Sequence, residues 1–295
     1  MIFAAGRAEA AIYTRGQIIP PNAKGSAVPP KPPTGAIPRA ARRKAQAGGK
    51  SGALTYEELA RRIDRARLKG AGKTLEPRVK RVVMSYLQSA QTHGLPLKQV
   101  VTELANGQAA WRLGGAVRDA ILQQPPEAVK NAACGQGCAF CCILTGGDGG
   151  LITEAEARRL HAALTPLQGE VDGRAWHPSA CPALNPDTRA CRVYDARPTI
   201  CRSFLSTDAA ACEANANGAT DQGAGLLGSH LDYLFVQSLC RQALKGITQV
   251  STYSMAQIAA AALDGQDVEQ ALARARHRSK TLDDTAQDAA RAAHI

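Results

Sequence analysis

Seven of the nine cysteines in this 295-residue chain lie between Cys134 and Cys201. Four of them fall within nine residues, Cys134-Gly-Gln-Gly-Cys138-Ala-Phe-Cys141-Cys142, and Cys181, Cys191 and Cys201 follow at ten-residue intervals. A free cysteine is ordinarily a small apolar side chain scattered through a core, and packing does not account for such crowding. Thiolates held close together repel one another unless a cation sits among them. The pattern therefore reads as a metal or iron–sulfur centre, and the segment around it as loop-rich.

Compartment and charge narrow the reading. Met1 to Arg7 lack the uninterrupted apolar stretch of a secretory signal, and no run of about 18 apolar residues marks a membrane span. A reducing, cytoplasmic setting is expected, in which clustered cysteines serve as ligands rather than disulfides; nine thiols also do not pair off. The formal charge is +11, yet residues 1–50 hold nine Lys/Arg against Glu9 alone, which is +8, and leave +3 for the remainder. With 4 Phe, 2 Trp and 6 Tyr, a base-stacking nucleic-acid platform is not expected. Only the basic arm, through Arg39, Arg42, Arg43 and Lys44, suits nucleic acid or an acidic protein partner, and a solvated linker accounts for it as well.

The fold class expected is mainly α: an irregular cysteine-rich metal-binding centre flanked by helices, with a disordered N-terminal arm. Residues 1–52, broken by Pro20-Pro21, Pro29-Pro30 and Pro32-Pro33, form that Pro/Ala-rich arm. Residues 53–125 are a helical front segment, 126–215 the cysteine-cluster domain, and 216–295 a helical C-terminal segment packing on it. Thr55 followed by Glu58 opens a first helix with Leu59, Ile63 and Leu68 on its stripe. A second helix runs from about Pro77 through Leu87, a third from Leu97 to about Ala105, and a fourth from Ala109 to Leu122. Their core candidates include Val79, Val82, Val83, Tyr86, Val100, Val101, Leu104, Trp111, Val117 and Ile121. Thr153 and Glu156 bracket the start of a helix through Leu164. Leu226 to Leu244 is the clearest late helix, and helices at Met255–Leu263 and Val268–His277 follow. The glycines at 146–150 lack the Gly-Lys-Ser/Thr ending of a phosphate loop and read as a turn. Residues 205–225 show little patterning.

Within the constellation, Cys138 and Cys141 have the C-x2-C spacing of a metal knuckle, and Gly135 and Gly137 suit a close backbone approach. With Cys134 the spacing becomes C-x3-C-x2-C, which also serves [4Fe–4S] chemistry with S-adenosylmethionine. Neighbouring side chains tend to point apart, so Cys142 serves a second site or is a structural thiol. Seven thiols are one short of two four-thiolate sites, and Cys212 is the best eighth candidate, expected in a loop. The metal ligands are thus expected to be Cys134, Cys138, Cys141, Cys142, Cys181, Cys191, Cys201 and Cys212. Cys240 falls on an apolar helical stripe and reads as core, and His177 reads as an exposed loop residue. Four thiolates on a divalent ion leave −2, so Arg192, Arg197 and Arg202 are expected to offset that charge or donate to sulfur.

The ordered pattern Cys134-x3-Cys138-x2-Cys141-Cys142, Cys181-Pro182-x-Leu184, Cys191-x-Val193-Tyr194-x2-Arg197-Pro198-x2-Cys201-Arg202-x-Phe204 resembles the YkgJ-type cysteine-cluster proteins. The resemblance covers residues 130–205 and implies zinc or iron chelation, as a binding or accessory module. A similar cysteine-rich domain occurs in flagellin lysine N-methylases. That implies an alternative, an iron–sulfur, S-adenosylmethionine-dependent methyltransferase acting on protein lysine. Neither catalytic residues nor a Ser-His-Asp triad are visible, and His93, His161 and His230 read as ordinary helix residues. Gly223-Ala224-Gly225 is the one candidate nucleotide loop, and a flexible linker explains it better.

Overall fold

Thr55 sets the first helix: its hydroxyl accepts from the Glu58 backbone N–H at 3.1 Å, satisfying one of the open donors of the first turn. The computed structural model describes residues 54–135, 137–144, 146–219 and 224–293, with the side chains of 224–226 left aside. The expected arm, residues 1–52, lies outside them, and the described residues belong to one compact unit. In chain order the helices are α1 Tyr56–Arg65, α2 Gly72–Thr92, α3 Leu97–Asn106, α4 Gln108–Gln123, α5 Glu127–Lys130, α6 Glu154–Leu164, α7 Thr199–Ser203, α8 Ala209–Ala216, α9 Gly228–Ala243, α10 Met255–Leu263, α11 Val268–Ala275 and α12 Thr281–Ala292. The strands are β1 Leu151–Thr153, β2 Phe204–Ser206, β3 Ala224–Leu226 and β4 Thr252–Ser254. Antiparallel β1–β4 pairs Leu151 with Ser254, and antiparallel β2–β3 pairs Phe204 with Leu226. The fold is mainly helical with an irregular cysteine-rich region, as expected. Among the described residues no helix is long and apolar enough to cross a membrane.

The front helices depart from expectation in several places: α1 ends at Arg65, so Leu68 lies beyond it, and α2 extends to Thr92. α2 starts at Gly72, five residues before Pro77, because Leu75 gives the added turn an apolar side chain to bury. A proline so near the start removes one backbone hydrogen bond without breaking the helix. In α4 the structure buries Ala109, Ala110 and Gly114, while Trp111, Val117 and Ile121 are only half-buried. A methyl at Gly114 would stand 3.1 Å from the Tyr233 Cβ. α4 and α9 therefore meet backbone to backbone, through small residues rather than large ones.

α9 carries the expected core residues Leu231, Leu234, Phe235, Leu239 and Cys240, but its burial extends to every face from Ser229 to Cys240. A helix covered on every face is the axis of a domain, not a surface element, and here the cover extends over polar Ser229, His230, Asp232, Gln237 and Ser238 as well. α1, α2, α3, α4 and α12 pack around it. Together they form a first core with Leu59, Ile63, Leu75, Val79, Val83, Leu104, Leu234, Phe235 and Leu282.

A second core holds Ile152 of β1, Leu160 and Leu164 of α6, Leu184, Val193, Tyr253 of β4, Ile258 of α10 and Leu272 of α11. Front and rear helices were expected to surround the cysteine loops. Instead the C-terminal third divides: α9 and α12 join the front helices, and β4, α10 and α11 form the bed of the cysteine loops. Glu156 pins the two together. Thr153 and Glu156 form a capping box at the start of α6. The same carboxylate, 2% exposed, also accepts from the Thr199 N–H at 2.8 Å and hydroxyl at 2.7 Å, and from the Tyr233 hydroxyl of α9. A buried carboxylate is tolerated because every donor around it is aimed at it.

Candidate metal centre

The first cysteine loop turns at Gly137, whose φ of +80° favours glycine, and the Cys138 N–H closes on the Gly135 carbonyl at 3.1 Å. A 3₁₀ turn, Phe140–Cys142, follows. In such a turn successive side chains are rotated by roughly 120° rather than opposed. Cys141 and Cys142 accordingly do not point apart: their thiols hydrogen-bond to each other.

The second cysteine stretch is stitched to this loop through the backbone. The Cys181 N–H donates to the Cys142 carbonyl at 2.8 Å, Leu144 N–H to Ser179 at 2.7 Å, and Ile143 bridges Ala180. Cys191 returns beside it through a bridge to Leu184. Cys201 rides on α7, whose Thr199 is held by Glu156, and its sulfur lies 3.3 Å from the Met255 sulfur. A methyl at Gly173 would sit 2.3 Å from the Cys181 carbonyl, so only glycine lets the chain pass behind Cys181.

Cys134 and Cys212 approach from another side. The Ser206 N–H of β2 donates to the Cys134 sulfur at 3.3 Å, and Ala133 N–H donates to the Ser206 carbonyl at 2.8 Å. Two residues on, the Asp208 carboxylate caps α8, which packs on the 140–142 turn and carries Cys212. Cys212 was expected in a loop. It lies buried in this helix, because Asp208 supplies an N-cap that the unpatterned 205–225 stretch did not advertise. Gly225 likewise belongs to β3, not to a linker, while Gly223 lies outside the described residues.

The thiols sense burial and one another. Burial raises the pKa of Cys138, and neighbouring Cys134, Cys141 and Cys212 add to the rise. Burial pushes Cys181 up to about 11. It also raises Cys201, with Cys181, Cys191 and Cys141 adding to the rise, and raises Cys191 against the pull of Arg197 and Arg192. In the vicinal pair the Cys142 thiol donates to Cys141, which lowers Cys141 and raises Cys142. Backbone amides counter burial at three cysteines: Phe140 donates to Cys138, Ala183 to Cys181 and Val193 to Cys191.

The three arginines bond the carbonyls that shape the loops. Arg192 reaches Pro182 at 3.0 Å and Glu170 at 3.1 Å. Arg202 reaches the Arg197 and Asp195 carbonyls. Arg197 stacks on Tyr194 at 3.5 Å and acts on the thiols through its charge, helping to lower Cys141. His177 accepts from the Ser179 N–H at 3.1 Å, a turn contact. His93 and His161 bond the Ser89 and Gln266 carbonyls. Cys240 is core, 1% exposed in the first cluster.

Sequence reasoning missed Glu156 as a tie between cores, Met255 beside Cys201 and Gly173 behind Cys181. The capping spacing from Thr153 marked Glu156, but its partners at 199 and 233 are long-range. Nothing near Met255 or Gly173 in sequence signals their neighbours.

The architecture is that of a helical protein with a thiol-rich centre seated on its second core. Residues 133–222 match a family model, CxxCxxCC, described as "Putative zinc- or iron-chelating domain". The chain matches no curated protein and no solved structure. Among the described residues no three Cys, His, Asp or Glu side chains stand close enough together to hold an ion.

Proposed function

We propose that this protein chelates zinc or iron through the thiolates of Cys134, Cys138, Cys141, Cys142, Cys181, Cys191, Cys201 and Cys212, as a metal-binding or accessory module. The observation that carries the reading is the set of backbone N–H groups aimed at sulfur: Phe140, Ala183 and Val193, each two residues beyond its cysteine, and Ser206 at 3.3 Å from Cys134. A neutral thiol in an apolar bed has little need of a donor. A thiolate does, and donors fixed by a turn stabilise the charged form that binds metal.

The donor set fits the ion. Sulfur ligands select zinc, iron or iron–sulfur clusters over hard cations. Arg197 and Arg192 offset the charge of the bound thiolates. The ion, when bound, supplies cross-links between stretches that share few large apolar contacts, on the order of 10–16 kcal/mol in small modules. The narrower likeness to YkgJ-type proteins rests on the ordered positions from Cys181 to Phe204. The methyl-transfer alternative draws on the C-x3-C-x2-C spacing and the likeness to flagellin lysine N-methylases, and no described feature of the fold adds to it.

Elemental analysis of anaerobically purified full-length protein tests the reading. A colourless sample with stoichiometric zinc, or a brown one with stoichiometric iron, supports chelation and distinguishes the metals. Less than one equivalent of either, after loading with excess metal under reduction, overturns it. The basic arm is tested separately: loss of partner or nucleic-acid binding on deleting residues 1–50 would give it a role.

A further inference from the structure

We infer that Arg118, Arg159, Arg197 and Arg202 form a binding site for a diphosphate, free or ester-linked to a small molecule, on the face where α4, α6 and α7 meet. No thiol takes part, so the site holds or fails independently of chelation.

Three helices and a turn bring the arginines together. Arg118 of α4 donates from Nε to the Arg202 carbonyl of α7 at 3.2 Å, and Arg202 donates from Nε to the Arg197 carbonyl at 2.9 Å. α6, which carries Arg159, packs against α4 and against the 194–196 turn. Arg202 is the hub. Burial already makes its guanidinium costly, and the charges of Arg197, Arg118 and Arg159 all press on it. Asp195 opposes them there, and Asp119 stands 3.5 Å from Arg118; both carboxylates are exposed. Four guanidiniums against two carboxylates leave a surplus of +2, and a guanidinium does not shed its proton in a protein. Like charges gathered in this way repel one another, at a cost that a bound anion removes.

The side chains are also presented as an anion needs them. Arg159 lies 4.1 Å over the Trp111 ring and Arg197 3.5 Å over the Tyr194 ring. A ring holds the guanidinium plane and leaves the N–H groups at its edge free to donate. Among the described residues Arg159 has no hydrogen bond or ion pair, whereas its neighbour Arg158 takes Glu154 at 2.9 Å and Glu269 at 2.6 Å. Arg197 uses only Nε, on the Tyr194 carbonyl at 3.2 Å. Whole forks are therefore left open beside a surplus of charge.

Size and charge choose the anion. A carboxylate presents two oxygens in one plane and takes one fork. Trp111, which carries Arg159, and Arg118 stand two turns apart on α4, about 10 Å along its axis, a span too long for a single phosphate. A diphosphate carries charged oxygens at both ends and meets arginines arriving from different elements.

Calorimetric titration of reduced, metal-loaded full-length protein with inorganic pyrophosphate tests the site. The wild type is expected to bind one equivalent at these arginines. Arg159→Gln and Arg118→Gln are each expected to raise its Kd about tenfold or more, and the double variant to lose it, with circular dichroism and metal content at wild-type values. Pyrophosphate held by the basic arm or by bound metal would survive both substitutions, so an unchanged isotherm overturns the inference. If Arg118→Gln does not fold, for want of its bond to Arg202, Arg159→Gln decides alone. ADP in place of pyrophosphate separates the sources: tighter binding with the same arginine dependence marks an ester-linked diphosphate, and equal or weaker binding marks the free ion. Citrate or a single-stranded oligonucleotide bound with that dependence, while pyrophosphate is not, would overturn the diphosphate assignment.

Discussion

Around α9 the chain buries leucine, valine, isoleucine and aromatic side chains, and eight of the twenty-eight members of that core are alanine. Beneath the thiols nine of twenty are alanine. Burial stabilises roughly in proportion to apolar area, about 25 cal/mol per Å², and alanine offers little. The first core thus stands on its own side chains. The second is thinly built, and the loops it carries have most of their backbone bonds in turns. An ion is the natural complement to such a region, and a liability to remove.

The largest effect expected is from stripping the metal. Chelation under reduction should expose amides of residues 134–212, α6, α10 and α11 to hydrogen exchange, while α1–α3 and α9 stay protected, because structural zinc supplies on the order of 10 kcal/mol to such modules. Simultaneous exposure of both regions would erase the distinction between the cores. The reciprocal change is Phe235→Ala, which should cost about 3–5 kcal/mol in denaturant melts and leave the metal content unchanged. Glu156→Ala belongs to both cores. It strands donors at Thr199 and Tyr233, each costing about 1–3 kcal/mol, and should lower both melting temperature and metal retention.

His230 sharpens the comparison through pH. Its ring is 4% exposed, its Nδ1 has no partner, and burial pushes its pKa down to about 4. The unfolded chain takes up a proton below about pH 6.5 and the folded chain does not until about 4, so stability is full above 6.5. It falls by about 1.4 kcal/mol per pH unit across that window. His230→Gln should flatten this slope by one proton. The smallest effect is expected at Gly114→Ala, where the added methyl presses on Tyr233 at 3.1 Å and should cost about 1–3 kcal/mol without touching metal binding.

Helix content and the cysteine-rich centre were legible because both are written in local pattern. Thr55, the 59/63 stripe, the Thr153 cap and the apolar run of α9 act within a few residues of themselves. The division into two cores was not, since it depends on β1 meeting β4 and on α9 being covered on all sides. The close approach at Gly114 was missed for the same reason. A search for large apolar positions passes over a contact made by the lack of a side chain. In the centre the crowding of cysteines was readable by spacing, but how the structure seats each one was not: Cys212 in a capped helix and Cys201 against Met255 depend on partners far away in sequence.

Among the described residues β1 finds its only strand partner in β4, about a hundred residues later. At synthesis rates of about 5–20 residues per second, about 6–24 s separate the emergence of the first thiol, Cys134, from that of β4, which begins at Thr252. During that interval Cys134 to Cys201 are translated but unshielded, open to air, to one another and to any passing ion. Correct loading therefore belongs to the end of biogenesis, and a truncation between residues 213 and 251 would yield a chain that carries the eight sulfurs without the floor they rest on.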